Sequence, residues 1–376
     1  MDNILLSAAL AFLITFFAIP VIIQVAKDKK LFDEPDERKV HKVVIPTLGG
    51  LGIFAGFIIG MLMGVPYNLG SEIQYFAAAS IVVFFLGMKD DILVLSASKK
   101  FIGQLLAAGI LIKFGGVQIT NMHGFLGIYE LPHLASIVMT VFTIVVITNS
   151  FNLIDGIDGL AGSLGFLTAI IFGAYFYTIG QLTYAVMAFA LAGSLISFLI
   201  YNFSPAKIFM GDTGSLLLGL INSILVIKFI KFAGTANVNF PLESSPAIGF
   251  AILILPLFDT LRVFGLRLLD RRSPFSPDRT HIHHFLLDLG LTHKQITLTC
   301  VFTNIMFVAL AFSLRNLGPT LVVVIMLILA WTLTGIVFYL RQKRINKNTI
   351  LDSGRQKEVV KSRKVLTLVQ DPVEAD

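Results

Sequence analysis

The sequence predicts an all-α polytopic membrane protein with about eleven transmembrane helices. Of its 376 residues, 56% are hydrophobic and only 14% are charged, and the mean hydropathy is +0.84. A typical soluble domain is about 25% charged. The apolar runs are long and continuous, without the alternation of half-buried strands. Because only helices and closed barrels satisfy the backbone inside a bilayer, we expect these runs to be helices.

Eleven segments reach or approach the roughly 20 apolar residues that a helical span requires. The first apolar run is too long for a cleaved signal sequence and lacks a positively charged region before it, so we expect it to be retained as a span. In chain order, the predicted spans are 3–26, 48–66, 73–88, 101–118, 133–151, 160–179, 182–201, 214–233, 247–269, 297–314 and 319–340.

Lysine and arginine concentrate on one side of these spans. With the loop at 27–47 placed in the cytoplasm, 25 of the 29 Lys and Arg residues fall on the cytoplasmic side, in agreement with the positive-inside rule. The N-terminus is then outside, and the C-terminus and every polar motif are cytoplasmic. The net charge of +6 therefore indicates membrane topology, and nucleic acid is not an expected partner. Residues 341–376 are charged and lack aromatic residues, so we expect a flexible cytoplasmic tail after a transmembrane domain at 1–340.

The segment FNLIDGIDGLAG at 151–162 follows an apolar run and is rich in carboxylates and glycine. Asn152, Asp155 and Asp158 recur at three-residue steps, so on a helical turn they share one face. Gly156 lets a ligand approach the backbone closely. Oxygen donors and bare backbone are what a divalent cation and a phosphate need. The alternative is a hydrated turn with Asp side chains capping the next helix.

A second motif, KDD at 89–91, follows the third predicted span directly. Adjacent residues on a helix point about 100° apart, so one of Asp90 and Asp91 can face a cleft while the other caps or orients a neighbour. Lys99 and Lys100 stand at the start of the next helix, where the helix dipole favours phosphate binding. A solvated helix end is the competing interpretation.

A third motif, FMGDTGS at 209–215, precedes another apolar run. Asp212 with Asn152 could supply the one or two protein oxygens that Mg²⁺ usually takes beside water and substrate phosphates. A helix cap is the alternative for Asp212. Phe209 could stack on a base, although an aromatic residue at a membrane edge is more often an anchor.

The longest internal loop carries a cationic cluster of Arg279, His281, His283 and His284. A zinc site is the obvious rival, but the i, i+2, i+3 spacing of the His residues is not a recognised zinc spacing and no Cys is nearby. The arginine points to anion binding. A plain positive-inside loop would explain the arginine better than the three His residues.

Taken in order, KDD, NLIDGIDGLAG, FMGDTGS and SPFSPDRTHIHH resemble the motifs of the polyprenyl-phosphate N-acetylhexosamine-1-phosphate transferase family, in particular its WecA/TagO-like branch, over about residues 1–340. The resemblance implies that undecaprenyl phosphate attacks the β-phosphorus of a UDP-N-acetylhexosamine, that UMP leaves, and that Mg²⁺ or Mn²⁺ is required. It further implies a multi-pass protein of the bacterial cytoplasmic (inner) membrane that makes the lipid-linked first sugar of a cell-surface polysaccharide, such as lipopolysaccharide O-antigen or teichoic acid.

The resemblance also implies roles for individual residues. Asp212 and Asn152 match the metal ligands, and Asp90 matches the residue proposed to deprotonate the lipid phosphate. The remaining matches are Asp91 and Asp155 among the catalytic carboxylates, Lys100 and Lys99 at the diphosphate, Gly156, Asp158 and Phe209 around the uracil, and Arg279, His281, His283 and His284 at the sugar-phosphate end.

Several alternatives stay open at this point. GlcNAc is the default sugar, but the sequence does not name it. A MraY-type phospho-MurNAc-pentapeptide transferase usually has three consecutive His residues, which Ile282 interrupts here. The motif of a CDP-alcohol phosphotransferase fails after Asp155-Gly156. A non-catalytic transporter would need ionisable residues at mid-span. Direct attack and an aspartyl-phosphate route are not separated, and a homodimer is compatible with the sequence.

Overall fold

The structure is a computed structural model that describes residues 1–29, 45–66, 71–234, 240–271 and 280–367, with the side chains of its last helix described as far as Lys347. The described part is almost entirely helical. In chain order its elements are α1 (Asp2–Lys29), α2 (Gly49–Gly64), α3 (Ile73–Ile92), α4 (Ala97–Lys113), the antiparallel hairpin β1 (Asn121–Phe125) and β2 (Ile128–Glu130), α5 (His133–Ile154), α6 (Leu160–Thr178), α7 (Leu182–Asn202), α8 (Gly211–Ala233), α9 (Ser245–Ile252), α10 (Ile254–Leu269), α11 (Ile282–Asp288), α12 (His293–Ser313), a 3₁₀ turn (Arg315–Leu317) and α13 (Pro319–Thr367).

The predicted fold class, an all-helical multi-pass membrane protein, is confirmed. Eight helices in the described ranges are long and apolar enough to cross a membrane, or nine if α9 and α10 form one bent span. Every predicted span coincides with a helix or a helix pair. However, α2 and α4 have only 16 and 17 residues, so the count of eleven spans and their orientation stay predictions.

The segment predicted as one span at 247–269 is broken in the middle. Helices α9 and α10 meet at an angle of 84°. Pro256 follows the break and has no N–H to donate to the carbonyl oxygen of Ile252, four residues earlier. The side-chain amide of Asn304 in α12 donates to that oxygen instead, at 3.0 Å. The bend is thus stabilised by a neighbouring helix, as broken membrane helices require.

Helix α8 lies at the centre of the bundle. In its apolar window 83% of the residues are buried, against 22% in α1 and in α13. Its neighbours approach its backbone through glycine: a Cβ on Gly50 of α2 would lie 2.2 Å from the Gly214 nitrogen, and one on Gly87 of α3 would lie 2.5 Å from the Thr213 Cα. Small residues permit such close helix packing in membranes. Therefore α2 and α3 fix the position of the first turn of α8.

The opposite end of α8 carries a buried cation. The side chain of Lys228 is only 1% exposed, and its ammonium lies 2.8 Å from Glu72 Oε2. Glu72 Oε2 also accepts a hydrogen bond from the Tyr184 hydroxyl at 2.5 Å. A buried charge needs such a partner. This group lies at the other end of α8 from the acidic motifs and is not part of their cluster.

Helix α13 extends well beyond its apolar part and continues to Thr367. The residues after 340, predicted to be a separate tail, therefore begin as a direct continuation of the last membrane helix. The flexibility of that tail stays a prediction.

Candidate active site

Lys100 joins carboxylates from two other helices. Its ammonium, in the first turn of α4, forms an ion pair with Asp90 in the last turn of α3 and lies 2.5 Å from Asp212 Oδ2 in the first turn of α8. The ends of three helices therefore meet at one face of the bundle. The side chains of Lys100 and Asp212 are each 25% exposed, so a ligand can reach them.

Asn152, in the last turn of α5, completes this group. Its Nδ2 donates to Asp212 Oδ1 at 2.8 Å and to Ser215 Oγ at 3.0 Å. Both bonds use the amide nitrogen, so neither occupies the amide oxygen. Asp212 is consequently contacted on one oxygen by an amide and on the other by an ammonium, which fixes the orientation of its carboxylate.

Asp91 has a different role from Asp90 in this structure. Its Oδ1 accepts the Asp212 backbone N–H at 2.7 Å, while Oδ2 accepts the Thr213 N–H at 3.0 Å and the Thr213 hydroxyl at 2.5 Å. The first N–H groups of a helix have no partner within the helix, and Asp91 supplies one for α8 from a different helix. Gly211, with φ +71°, begins this turn, and a Cβ there would lie 2.1 Å from the Thr47 carbonyl oxygen. Asp91 thus holds the turn that carries Asp212.

Asp155 follows the last residue of α5 and lies close enough to the other acids to interact with them. Burial, together with the nearby carboxylates of Asp212, Asp91 and Asp158, raises its pKa well above the ordinary value. Clustered carboxylates cannot all be ionised without a compensating cation. Lys100 supplies one positive charge, to Asp90 and Asp212.

Asp158 connects the glycine-rich turn to two other elements. Its Oδ2 accepts the Ala206 N–H at 3.2 Å, and its Oδ1 lies 3.1 Å from His293 Nδ1 at the start of α12. Its backbone carbonyl accepts the Thr297 hydroxyl at 3.0 Å. The turn after α5, the loop before α8 and the beginning of α12 are therefore held together at Asp158.

His283 lies against Gly156. A Cβ on Gly156 would come within 2.9 Å of His283 Nε2, so only glycine accommodates the ring at this distance. The side chain of His283 is buried. The centroid of its ring lies 5.7 Å from that of His281 and 4.3 Å from that of His284. Burial and the neighbouring His284 lower the pKa of His283 to about 4, so it is neutral at pH 7. This contact brings the His motif to the acidic turn, about 130 residues earlier in the chain.

His281 is oriented by a buried carboxylate. Asp259 Oδ2 lies 2.9 Å from His281 Nδ1, and Asp259 Oδ1 accepts the Ile282 N–H at 3.0 Å and an Arg262 guanidinium N–H at 2.7 Å. Arg262 also donates to the Thr280 carbonyl oxygen at 2.6 Å. The bend between α9 and α10 brings Asp259 and Arg262 to this place, where they hold the start of α11.

The donor set at Asp212 and Asn152 fits a hard divalent cation. It consists of carboxylate and amide oxygens, the ligands that Mg²⁺ prefers together with water and phosphate. Lys100 already places one cation between two carboxylates, which shows that the site accommodates positive charge. Over the described ranges, no three His, Cys, Asp or Glu side chains are grouped to hold a metal. The residues fit a metal bound by one or two protein ligands rather than a closed structural site.

The other predicted site residues lie around this centre or outside the described ranges. Phe209 is half-buried in the loop before α8, where its N–H donates to the Pro46 carbonyl oxygen at 2.8 Å and its own carbonyl accepts the Gly49 N–H at 2.9 Å. Lys99 is exposed beside Lys100. Arg279 falls in the range 272–279, outside the described residues. Their roles stay predictions.

Sequence reasoning gave no part in the substrate site to four contributors: Ser215, Asp259, Arg262 and His293. Asp259 and Arg262 both lie in the apolar segment predicted as a span at 247–269. Their signal was available, because a charged pair in an apolar segment marks a buried functional or orienting group. His293 gave no signal, because nothing in its surroundings along the chain indicates that it contacts Asp158.

The fold and this centre define a polytopic membrane protein with an acidic, cation-bridged site where several helix ends meet. Residues 73–230 match the family model described as "Glycosyl transferase family 4". The chain is 32% identical over 326 residues to the "Probable undecaprenyl-phosphate N-acetylglucosaminyl 1-phosphate transferase" of Bacillus subtilis, covering 84% of this chain and 87% of that protein.

Two further relatives give the same picture. The chain is 32% identical over 317 residues to the "Decaprenyl-phosphate N-acetylglucosaminephosphotransferase" of Mycobacterium leprae, covering 77% of this chain and 78% of that protein. It is 29% identical over 323 residues to the "Undecaprenyl-phosphate alpha-N-acetylglucosaminyl 1-phosphate transferase" of Escherichia coli K12, with 83% and 84% covered. The chain belongs to glycosyl transferase family 4.

Proposed function

We propose that this chain transfers N-acetylglucosamine 1-phosphate from UDP-N-acetylglucosamine to undecaprenyl phosphate and releases UMP. The relatives' names describe transfer of N-acetylglucosamine 1-phosphate to undecaprenyl phosphate. The observation that carries the proposal is the position of Lys100 between Asp90 and Asp212, with Asn152 on the second oxygen of Asp212. A diphosphate needs cations, a metal needs hard oxygens, and both needs are met at one place.

The reaction is a phosphoryl transfer at the β-phosphorus of the UDP-sugar. An oxygen of the lipid phosphate forms a bond to that phosphorus, and the bond between the phosphorus and the oxygen shared with UMP breaks. A phosphate monoester has a second pKa near 6, so the nucleophile is largely dianionic at pH 7. Asp90, beside Lys100, would accept the remaining proton from the singly protonated fraction. Positioning and charge neutralisation therefore supply most of the catalysis, as in other phosphoryl transfers.

We propose that Asp212 and Asn152 hold Mg²⁺, or Mn²⁺ in its place. When bound, the ion would neutralise charge on the diphosphate. Asp212 would exchange its contact with Lys100 for the metal, which leaves the Lys100 ammonium available for a phosphate oxygen. Asp91 keeps the first turn of α8 in place during this exchange, because its bonds go to the backbone and to Thr213 rather than to Lys100.

The two ends of the UDP-sugar are assigned to two sides of this centre. Gly156, Asp158 and Phe209 would surround the uracil, and His281, His283 and His284, with Arg279, would contact the sugar-phosphate end. The contact between His283 and Gly156 supports this arrangement, because it makes the two groups of residues neighbours. A neutral His283 would donate or accept a hydrogen bond without adding charge.

We further propose that this face is cytoplasmic. The last turns of α3 and α5 and the first turns of α4 and α8 meet there, so the four helices have mutually consistent directions. The distribution of Lys and Arg along the chain favours the cytoplasm for that face. A soluble nucleotide sugar and a lipid headgroup could meet at such a membrane boundary.

The test is release of UMP by the purified protein in detergent, with Mg²⁺, undecaprenyl phosphate and a panel of UDP-sugars that includes UDP-MurNAc-pentapeptide. We expect release with UDP-N-acetylglucosamine and loss of release on chelation of the metal. Release with UDP-MurNAc-pentapeptide alone would replace the proposal with the MraY-type reaction. No release with any donor, from protein shown to be folded, would reject a transferase.

A further inference from the structure

The short helix α11 is held at its C-terminal end by α13. It follows His281 and carries His283 and His284. Arg341 Nε lies 2.6 Å from Asp288 Oδ2, and Asp288 is the last residue of α11. Arg344 donates from its guanidinium to the Leu289 carbonyl oxygen, one residue further on. Carbonyl groups at a helix C-terminus lack partners within the helix. Arg344 therefore acts as a cap supplied by another helix.

Phe285 in the middle of α11 lies between two arginines. The Arg341 guanidinium is 4.7 Å from the ring centroid and the Arg262 guanidinium is 5.5 Å from it. Phe338, one turn before Arg341 on α13, contacts the same ring, with centroids 6.0 Å apart. Phe285 is buried, with 5% of its surface exposed. Cation–π contacts gain strength when they are shielded from water in this way.

These contacts continue to the His motif. Arg262, on one side of Phe285, also binds Asp259, and Asp259 lies 2.9 Å from His281 Nδ1. On α11 itself, His283 is two residues before Phe285 and lies against Gly156. An isolated helix of 7 residues is too short to be stable in water by itself. Its position must come from the contacts at its two sides.

We propose that Arg341 and Arg344 are positioning residues for substrate: the part of α13 after residue 340 holds α11, and through it His281 and His283, in the place where they contact the sugar-phosphate end of the donor. This inference rests on the proposed function for the identity of that donor. It assigns a task to residues after 340, which otherwise look like a basic tail.

The competing explanation is that basic residues after a membrane helix only bind anionic lipid headgroups. The chain offers a matched control for this. Lys343 and Lys347 belong to the same stretch of α13, carry the same charge and are exposed. Substituting either the two arginines or the two lysines removes two positive charges. Of these two pairs, the arginines are the ones whose contacts with α11 are described above.

The activity test compares the double variant Arg341→Gln/Arg344→Gln with Lys343→Gln/Lys347→Gln, in the full chain with undecaprenyl phosphate. We expect the arginine variant to raise the KM for UDP-N-acetylglucosamine about three- to tenfold, the range for losing an exposed ion pair and a cation–π contact, with a smaller change in kcat. The lysine variant should stay within about twofold of the wild type. Equal effects of the two variants would reduce the arginines to lipid anchors and overturn the proposal.

Three further single substitutions separate positioning from folding. Asp288→Asn and Arg341→Gln should have effects on KM that do not add, because they remove the same contact, and Arg341→Lys should recover part of the loss since it keeps the charge. The thermal unfolding midpoint should change little in all of them. Additive effects, or a fall in kcat that tracks the unfolding midpoint, would indicate a general structural role.

Amide hydrogen exchange tests the same idea without any assay of activity. Peptides covering 280–291 should exchange faster in the arginine double variant than in the wild type, and not in the lysine double variant. Unchanged exchange in the arginine variant would overturn the proposal that Arg341 and Arg344 hold α11, even if the enzyme is active. Faster exchange in the arginine variant, together with no release of UMP by the wild type, would support the contact of the arginines with α11 and reject the proposed reaction instead.

Discussion

The Nε2 atom of His283 lies so close to Gly156 that a single added methyl group at Gly156 would approach it to 2.9 Å. This contact joins the acidic turn after α5 to the helix that carries the second half of the His motif. The two parts of the site that are proposed to bind the two ends of the UDP-sugar are therefore in direct contact. The relationship suggests that small changes at Gly156 act on the site through His283.

We predict that Gly156→Ala lowers transfer activity while leaving the protein folded. The added methyl group must displace the His283 ring, and overpacking of this kind typically costs about 1–3 kcal/mol, which corresponds to about five- to 150-fold if it falls on substrate binding. The measurement is kcat/KM for UDP-N-acetylglucosamine. Gly265→Ala is the control, because a Cβ there meets nothing within 4 Å. Equal activity of Gly156→Ala and the control would contradict the prediction.

We predict that His283→Ala weakens use of the UDP-sugar more than binding of UMP. His283 is assigned to the sugar-phosphate end, and UMP lacks that part of the donor. The comparison is the change in KM for UDP-N-acetylglucosamine against the change in the inhibition constant of UMP, for which we expect a ratio of about tenfold, the loss of one good hydrogen bond. An equal change in both constants would move His283 to the nucleotide end.

The stability of the protein should depend on His283 at acid pH. Its folded pKa of about 4 lies below the ordinary value of 6.5, so the unfolded chain takes up a proton that the folded chain does not. Folding free energy is therefore lost as the pH falls from about 6.5 towards 4. Asp155 affects stability in the opposite direction. Its pKa is raised, so the folding free energy that it contributes is lost as the pH rises.

The measurement is the thermal unfolding midpoint in detergent at pH 7 and pH 5. We expect the decrease in midpoint from pH 7 to pH 5 to be larger for the wild type than for His283→Asn, because asparagine cannot titrate. His133→Asn, at an exposed His that begins α5, should behave like the wild type. An acid-induced fall of the same size in all three proteins would show that His283 does not carry the effect.

The sequence predicted the helices well, but it did not identify the partners of the two neighbouring acids Asp90 and Asp91. Long apolar runs leave the backbone no alternative in a bilayer, so every predicted span is helical. Helix geometry predicted that one of Asp90 and Asp91 could orient a neighbour but not which one, and the family resemblance placed both among the catalytic carboxylates. Their separate partners, Lys100 for one and the first turn of α8 for the other, depend on residues roughly 10 and 120 positions away, which local patterns do not reveal.

The bend at Pro256 and the orientation of His281 were beyond sequence reasoning for a similar reason. A proline near the start of a helix is common and does not by itself indicate an 84° break. The break depends on Asn304 binding the freed carbonyl of Ile252. The segment after the bend carries Asp259, which lies 2.9 Å from His281 Nδ1 and orients that ring.

We predict that Asp90→Ala and Asp91→Ala both reduce activity but differ in stability. Asp91→Ala leaves the N–H groups of Asp212 and Thr213 without their acceptor, a loss of about 1–3 kcal/mol for buried donors. Asp90→Ala leaves a single N–H, that of Leu95, without its acceptor, and Lys100 keeps its ion pair with Asp212. We expect a lower thermal unfolding midpoint for Asp91→Ala than for Asp90→Ala, measured on the same preparation. The reverse order would contradict the assignment of Asp91 to the first turn of α8.

We predict that Asp212→Asn abolishes transfer without unfolding the protein. The substitution keeps the shape of the side chain but removes the charge that pairs with Lys100 and that would bind the metal. We expect kcat to fall by at least about 10²–10³, the range for losing an electrostatic contact in a preorganised site. Asp158→Asn is the matched control, because it removes a carboxylate from the same face whose partners are Ala206 and His293 rather than Lys100.

The two variants should also differ in their response to metal. Raising the Mg²⁺ concentration should not restore Asp212→Asn, since its metal ligand is gone, whereas Asp158→Asn should show the same Mg²⁺ dependence as the wild type and an altered KM for the UDP-sugar. Metal dependence is read from UMP release across a Mg²⁺ titration. An Asp212→Asn protein that keeps near-normal turnover, or that recovers fully with added Mg²⁺ at wild-type affinity, would remove Asp212 from the proposed metal site.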